Sequence, residues 1–211
     1  MTVHIRGRGA RAVAAVAAAA AAAVLTACSG DGGSALSQAG LHDAVRSAAG
    51  ESAACPLDYD LGKAASAAHA PGSARPVSAN VDLPEDADKD AVLSTAHATD
   101  VECDYRLGAE TVSVETLAAE KGTAAALLAP LIQRNAELSS GELSAFLADV
   151  QKAPTGTPVV TPTGTVALVR LRGAGSDSVA LMVSCGTDGD TKLTAEQVRG
   201  LAKNLGGQAH W

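Results

Sequence analysis

Aromatic residues are scarce in this sequence, with one Trp, one Phe and two Tyr among 211 residues. Surfaces that bind carbohydrates or nucleic-acid bases use aromatic rings, on which the sugar or base can stack. A chain with so few rings is a poor candidate for either class of ligand. The composition therefore argues against a carbohydrate-binding or base-binding protein.

Positive charge is also scarce once the first residues are set aside. Three of the 16 Lys and Arg residues, Arg6, Arg8 and Arg11, lie within residues 1–27, whereas all 23 acidic residues follow that segment. The remainder of the chain therefore carries a net charge of about −10. An acidic surface repels anions, which argues against binding to nucleic acid or to anionic lipid headgroups.

Recognisable signatures of catalysis and metal binding are missing. The sequence has no Gly-x-Ser-x-Gly, His-Glu-x-x-His, Gly-x-x-x-x-Gly-Lys, Ser-x-x-Lys or Cys-x-x-Cys motif. Asp86, Asp88 and Asp90 have the spacing of the first ligands in a calcium-binding loop. However, Ala91 stands where such a loop requires Gly, and His97 stands where it requires a bidentate Glu. We therefore expect no catalytic residue, no metal site and no cofactor, and hence no enzyme.

The most informative stretch is the beginning of the chain. A basic region is followed by an Ala-rich apolar run over 12–25, which is too short for a permanent spanning helix of about 20 residues. The run ends in Leu25-Thr26-Ala27-Cys28, which resembles the lipoprotein signal of bacteria. We expect residues 1–27 to be a signal peptide, Cys28 to carry a thioether-linked diacylglyceryl group, and 28–34 to be a flexible tether.

Three further cysteines, Cys55, Cys103 and Cys185, follow the lipidated position. An exported domain lies in an oxidising compartment, so we expect one disulfide and one remaining thiol. A Cys55–Cys103 bridge would join a helix to a strand and close a loop worth about 4 kcal/mol in the chain-entropy model. A Cys103–Cys185 bridge between two neighbouring strands is the alternative.

Residue periodicity predicts an α+β domain over 35–207, with a short tail at 208–211. Helices are expected to begin near Leu36, Leu57, Thr123, Ser139 and Thr194, with Pro130 splitting the third and capping boxes opening the last two. Strands are expected at 101–107, 112–115, 165–172 and 178–185, the last of them central; 71–90 is expected to be a loop. Together they predict one antiparallel sheet of four or five strands with helices packed on one face.

Several of these segments together resemble those of small actinobacterial cell-envelope lipoproteins whose main domain has no assigned function. The segments are the motif at Cys28, Cys55-Pro56-Leu57, Val101-Glu102-Cys103-Asp104-Tyr105, the strands at 166–172 and 179–183, and Leu193-Thr194-Ala195-Glu196-Gln197. The resemblance spans about 35–207. It implies pairing of a helix cysteine with a strand cysteine, here Cys55–Cys103, and it implies no catalytic residue.

These observations lead to an expected function that remains general. We expect a monomeric, membrane-anchored extracytoplasmic lipoprotein, held at the cell membrane through the lipid on Cys28. Its domain is expected to be a non-enzymatic binding or accessory module for an envelope protein or a small ligand. A lipid or small-ligand carrier, and an envelope hydrolase or transferase with a dispersed site, are the alternatives.

Overall fold

The computed structural model describes residues 35–48, 55–86, 88, 91–186 and 190–211. The expected signal peptide at 1–27, the lipidation site Cys28, the tether at 28–34 and Asp90 lie outside the described residues. None of the described helices is long and apolar enough to cross a membrane.

In the part of the chain that the structure describes, a single antiparallel sheet of six strands forms the centre of the fold. Its strands are β1 (Ala74–Asp82), β2 (Ala98–Leu107), β3 (Glu110–Ala119), β4 (Val159–Val160), β5 (Val166–Leu171) and β6 (Ser178–Cys185). Their spatial order is β1-β2-β3-β6-β5-β4. The predicted central position of the strand at 178–185 is confirmed, because β6 lies between β3 and β5.

Seven helices flank this sheet in the described part of the chain. They are α1 (Gln38–Ala48), α2 (Leu61–Ala67), α3 (Val92–Ala96), α4 (Ala124–Leu127), α5 (Ala129–Asn135), α6 (Ser140–Lys152) and α7 (Ala195–Gly206). The predicted split at Pro130 is present, since α4 ends at Leu127 and Pro130 occupies the first turn of α5. Both predicted capping boxes are also present, Ser139 with Glu142 at α6 and Thr194 with Gln197 at α7.

The helices cover both faces of the sheet, whereas the sequence led us to expect them on one. One apolar cluster joins α1, α2 and α7 to the face that carries Val101, Cys103 and Leu181. A second cluster joins α4, α5 and α6 to the opposite face, which carries Leu117 and Met182. Residues of β5 and β6 are buried on both sides, so two layers of helices are needed to exclude water from this half of the sheet.

The α+β class and the single antiparallel sheet are confirmed, but the described residues form six strands instead of the expected four or five. The additional strands are β4, two residues long, and β1, which lies within the segment expected to be a loop. β1 is an edge strand whose side chains are mostly half-buried or exposed. Such a strand needs no regular apolar alternation, so its sequence does not differ clearly from that of a loop.

Candidate functional site on the acidic face

The expected disulfide is present and joins Cys55 to Cys103, with a Cα–Cα distance of 5.4 Å. Cys103 lies on β2 and points into the first apolar cluster, and Cys55 precedes α2. The bridge thus fastens the segment before α2 to the sheet. Cys185 is the remaining thiol, is buried at the end of β6, and has no disulfide partner among the described residues.

Cys185 is a poor nucleophile in this position. Burial, assisted by the negative charge of Glu110, raises the pKa of its thiol to about 12. The thiolate is the reactive form of cysteine, so a thiol that stays protonated is chemically inert. Cys185 therefore serves as a small core residue.

The unusual surface of this domain is an acidic area on the β1–β3 half of the sheet, which we call the acidic face. It comprises Asp82, Asp100, Glu102, Asp104 and Glu115. These side chains share the face that is apolar further along the sheet, where α4, α5 and α6 cover it. Strand register aligns them: Asp82 is opposite Asp100, and Glu102 is opposite Glu115.

Neutral side chains orient the half-exposed carboxylates of the acidic face. Asp104 accepts hydrogen bonds from the hydroxyl groups of Ser78, at 2.8 Å, and Ser113. Glu102 accepts one from the Asn80 side-chain amide, at 2.9 Å. No carboxylate of the acidic face forms a salt bridge with a cationic side chain among the described residues.

Two of these carboxyl groups, those of Asp100 and Glu115, are buried and act as a pair. Asp100 is 8% exposed and Glu115 5% exposed, and their side chains are hydrogen-bonded to each other. Their positions are diagonal across the β2–β3 ladder, a spacing that long side chains can bridge. Asp100 Oδ1 receives no hydrogen bond from a conventional donor among the described residues. A proton on Glu115 supplies the donor that two ionised carboxylates would lack.

Proton sharing follows from the electrostatics of the pair. Burial raises the pKa of Glu115 well above its ordinary range, and the negative charge of Asp100 raises it further. Burial also raises the pKa of Asp100, while the hydrogen bond from Glu115 opposes that rise. We therefore assign the shared proton to Glu115 and the charge to Asp100.

A cavity lies at the end of the acidic face, beside Asp82. It has a volume of about 290 Å³ and is lined by Asp82, Leu83, Asp86 and the first residues around α3. Because Asp82 lies directly opposite Asp100, the acidic surface continues from the sheet into this cavity. The described residues contain no group of three or more His, Cys, Asp and Glu side chains that could hold a metal ion.

Chemically, the acidic face is suited to attract and hold positive charge. Its exposed carboxylates lack cationic partners in the described residues, so an incoming cation does not have to displace an existing ion pair. The buried pair could exchange a proton, as the acid and base of a hydrolase do. Both members are shielded from solvent, however, so a substrate would not reach them without a rearrangement of the surrounding residues.

Sequence reasoning did not identify this face as a site. Alternation in β2 does predict that Glu102, Asp104 and Arg106 share one side of a strand, as they do. The location of β1 beside β2, which adds Asp82, depends on a strand that was expected to be a loop. The sequence carries no local signal for the pair, because Glu115 alternates with Val112 and Val114 as a solvent-facing residue would, and its burial is visible only in the structure.

No protein-family model matches the chain, and no curated protein and no solved structure is significantly similar to it. The role of the acidic face has therefore to be inferred from its own geometry.

Proposed function

We propose that this protein is a lipid-anchored, extracytoplasmic binding module of the cell envelope, and that its acidic face binds a cationic partner. The partner is a protein segment or peptide rich in lysine. The observation that carries this proposal is the row of carboxylates on three adjacent strands with no cationic side chain paired to them in the described residues.

Two features support the extracytoplasmic location. The motif ending in Cys28 follows a basic region and an apolar run, in the order found in lipoprotein signals. The Cys55–Cys103 disulfide suits an oxidising compartment, because such bonds rarely persist in a reducing cytosol. A two-chain lipid on Cys28 would give stable membrane attachment.

The anchor is tested by the intact mass of the protein extracted from membranes. The proposal expects a chain that begins at Cys28 and carries the added mass of a diacylglyceryl group. A chain lacking residues 1–27 but without lipid would show that the protein is secreted free, and would remove this part of the proposal.

Charge complementarity is tested by titrating a fluorescein-labelled lysine octapeptide with the membrane-extracted protein and measuring the fluorescence anisotropy of the peptide. We expect saturable binding that weakens as salt is added, because salt screens exposed charges. Replacing Glu102→Gln and Asp104→Asn together should weaken binding about five- to thirtyfold, if each lost ion pair contributes up to about 1 kcal/mol.

A matched control separates the acidic face from net charge. The double variant Glu137→Gln and Glu196→Gln removes two exposed carboxylates elsewhere on the domain and should leave binding unchanged. Equal weakening by both double variants, or equal binding of a labelled glutamate octapeptide, would show that the acidic face is not the binding surface.

The two alternative functions receive less support. A lipid carrier needs an apolar cavity, whereas Asp82 and Asp86 line the cavity beside α3, and Asp58, Asp60 and Arg75 line a second cavity at the start of α2. A hydrolase is favoured by the convergence of Asp100 and Glu115, but neither side chain lines either cavity.

A further inference from the structure

The outer edge of β1 is open, and the proposed function does not use it. β1 is the first strand in the sheet order and has no partner on the side away from β2 among the described residues. Pro76 and a bulge between Pro76 and Ser78 protect its first half, since both interrupt strand pairing. Residues 78–82 pair regularly with β2 and contain neither Pro nor Lys. This second half of β1 therefore presents backbone N–H and C=O groups to a further strand.

Exposed apolar side chains are concentrated at this edge. Val77 and Val81, which are 48% and 37% exposed, lie on β1, and Val92, 67% exposed, lines the cavity next to Asp82. No other large apolar side chain of the described residues is exposed to this degree. Grouped apolar side chains mark interaction surfaces, whereas single scattered ones need no explanation. The grouping indicates that a partner covers the edge of β1.

The two sides of the second half of β1 differ in their chemistry. Asn80 and Asp82 lie on the acidic face. Val81 lies on the other side, opposite Val101 of the first apolar cluster. Side chains of a strand point alternately to its two sides. A segment paired with residues 78–82 would therefore place alternate side chains beside carboxylates and beside Val81.

The cavity beside Asp82 suits a lysine side chain. Leu83 and Val92 contribute apolar walls, and Asp82 and Asp86 contribute two exposed carboxylates. Neither carboxylate forms a salt bridge within the described residues. A lysine side chain has the same two parts, an apolar stem and a charged tip. A segment that continues past the end of β1 would bring such a side chain to the cavity.

We propose that the cationic partner binds as an extended strand that pairs with residues 78–82 of β1. Lysines of this strand alternate with apolar residues. The lysines lie along the acidic face, with one of them in the cavity beside Asp82, and the apolar residues cover Val81. This inference rests on the proposed function, because it assigns the conformation of the lysine-rich partner. Strand addition of this kind derives affinity from main-chain hydrogen bonds and specificity from alternate side chains.

The test uses a fluorescein-labelled peptide, Lys-Val-Lys-Val-Lys-Val-Lys, and two N-methylated forms of it. One form carries methyl groups on the three valine nitrogens, and the other carries them on the last three lysine nitrogens. All three peptides have the same side chains and the same charge. The N–H groups of alternate residues point to opposite edges of a strand, so each form blocks one edge. Each peptide is titrated with the membrane-extracted protein, and its fluorescence anisotropy is measured.

We expect the two methylated forms to differ. The form blocked at the edge that faces β1 should bind about tenfold more weakly or worse, because it loses up to three main-chain hydrogen bonds. The other form should bind about as tightly as the unmethylated peptide. Equal binding of the two methylated forms would overturn the proposal, because affinity would then not depend on one edge of the peptide.

Failure of strand pairing can be distinguished from failure of the proposed function. If the lysine octapeptide binds and is weakened by Glu102→Gln with Asp104→Asn, while the two methylated forms bind equally, the acidic face remains the binding surface and only the strand pairing is rejected. Absence of binding by every lysine peptide would reject both.

Asp86→Asn tests the cavity as part of the docking surface. The variant should bind the unmethylated peptide about two- to fivefold more weakly, as expected when one exposed ion pair is lost. Asp88→Asn is the matched control, because Asp88 is exposed two residues further along the chain but does not line the cavity. This control should bind as the wild type does. Equal affinities of the two variants would contradict the placement of a lysine in the cavity.

Discussion

Glu115 is hydrogen-bonded to Asp100 across the β2–β3 ladder, and both side chains are buried on the acidic face. A protonated glutamate and an ionised aspartate satisfy each other, whereas two ionised groups would repel. This relationship makes the stability of the fold depend on pH, because the folded chain holds a proton that the unfolded chain releases.

The first prediction concerns Glu115→Gln, which replaces the protonated carboxyl by a neutral amide that can still donate. The raised pKa of Glu115 means that the folded state binds more protons than the unfolded state above about pH 4.3. Wild-type stability should therefore fall as pH rises above that value, by at most about 1.4 kcal/mol per pH unit for one proton. The variant should lack this loss, as measured by urea unfolding from pH 5 to pH 9.

The groups that act on Glu115 are Asp100, Glu102 and Asp104, all of them acidic, so their ionisation strengthens the effect. Glu137→Gln, at an exposed position between α5 and α6, is the matched control and should follow the wild-type curve. Parallel curves for Glu115→Gln and the wild type would mean that Glu115 holds no extra proton in the folded state.

The second prediction concerns the disulfide. Cys55→Ala combined with Cys103→Ala should lower the free energy of unfolding by about 4 kcal/mol, because the bridge spans 48 residues and restricts the unfolded chain. Cys185→Ala removes the buried thiol but keeps the bridge, and should cost much less. Alkylation of the unfolded, unreduced wild-type protein should label Cys185 alone among these three cysteines; labelling of all three would exclude the bridge.

The third prediction compares two helical glycines. A Cβ added at Gly200 of α7 would lie 2.7 Å from the Cβ of Ala68, where α2 ends against α7. Gly200→Ala should therefore destabilise the protein by about 1–3 kcal/mol through overpacking. A Cβ at Gly141 of α6 meets nothing within 4 Å, so Gly141→Ala should stabilise it by about 0.5–1 kcal/mol through helix propensity. Urea unfolding that ranks the two variants in the opposite order would contradict the close helix contact.

Local signals in the sequence were sufficient for much of the fold. The capping boxes at Ser139 and Thr194 and the break at Pro130 depend only on neighbouring residues, and the structure contains all three. The alternation in β2 likewise requires no knowledge of its partners. Such features are predictable because a few adjacent residues satisfy the backbone groups involved.

Long-range features escaped prediction for a physical reason. β1 is stabilised by pairing with β2, and its own side chains leave no regular apolar pattern. The second helical layer is needed because both sides of β6 are buried. The apolar residues from Val179 to Val183 indicate that burial, but they do not indicate which helices cover each side. The acidic face escaped prediction for the same reason as β1, because its carboxylates converge only when β1, β2 and β3 are aligned.

A carboxyl ¹³C NMR titration of Asp100 and Glu115 tests the shared proton of the acidic face most directly. The experiment compares wild-type protein with Glu115→Gln and Asp100→Asn, which assign the two resonances. The structure predicts that Glu115 remains protonated at neutral pH and that its pKa falls when Asp100→Asn removes the neighbouring charge. Ordinary titration of both groups near pH 4, unchanged by either substitution, would contradict the pair and with it the geometry assigned to the site.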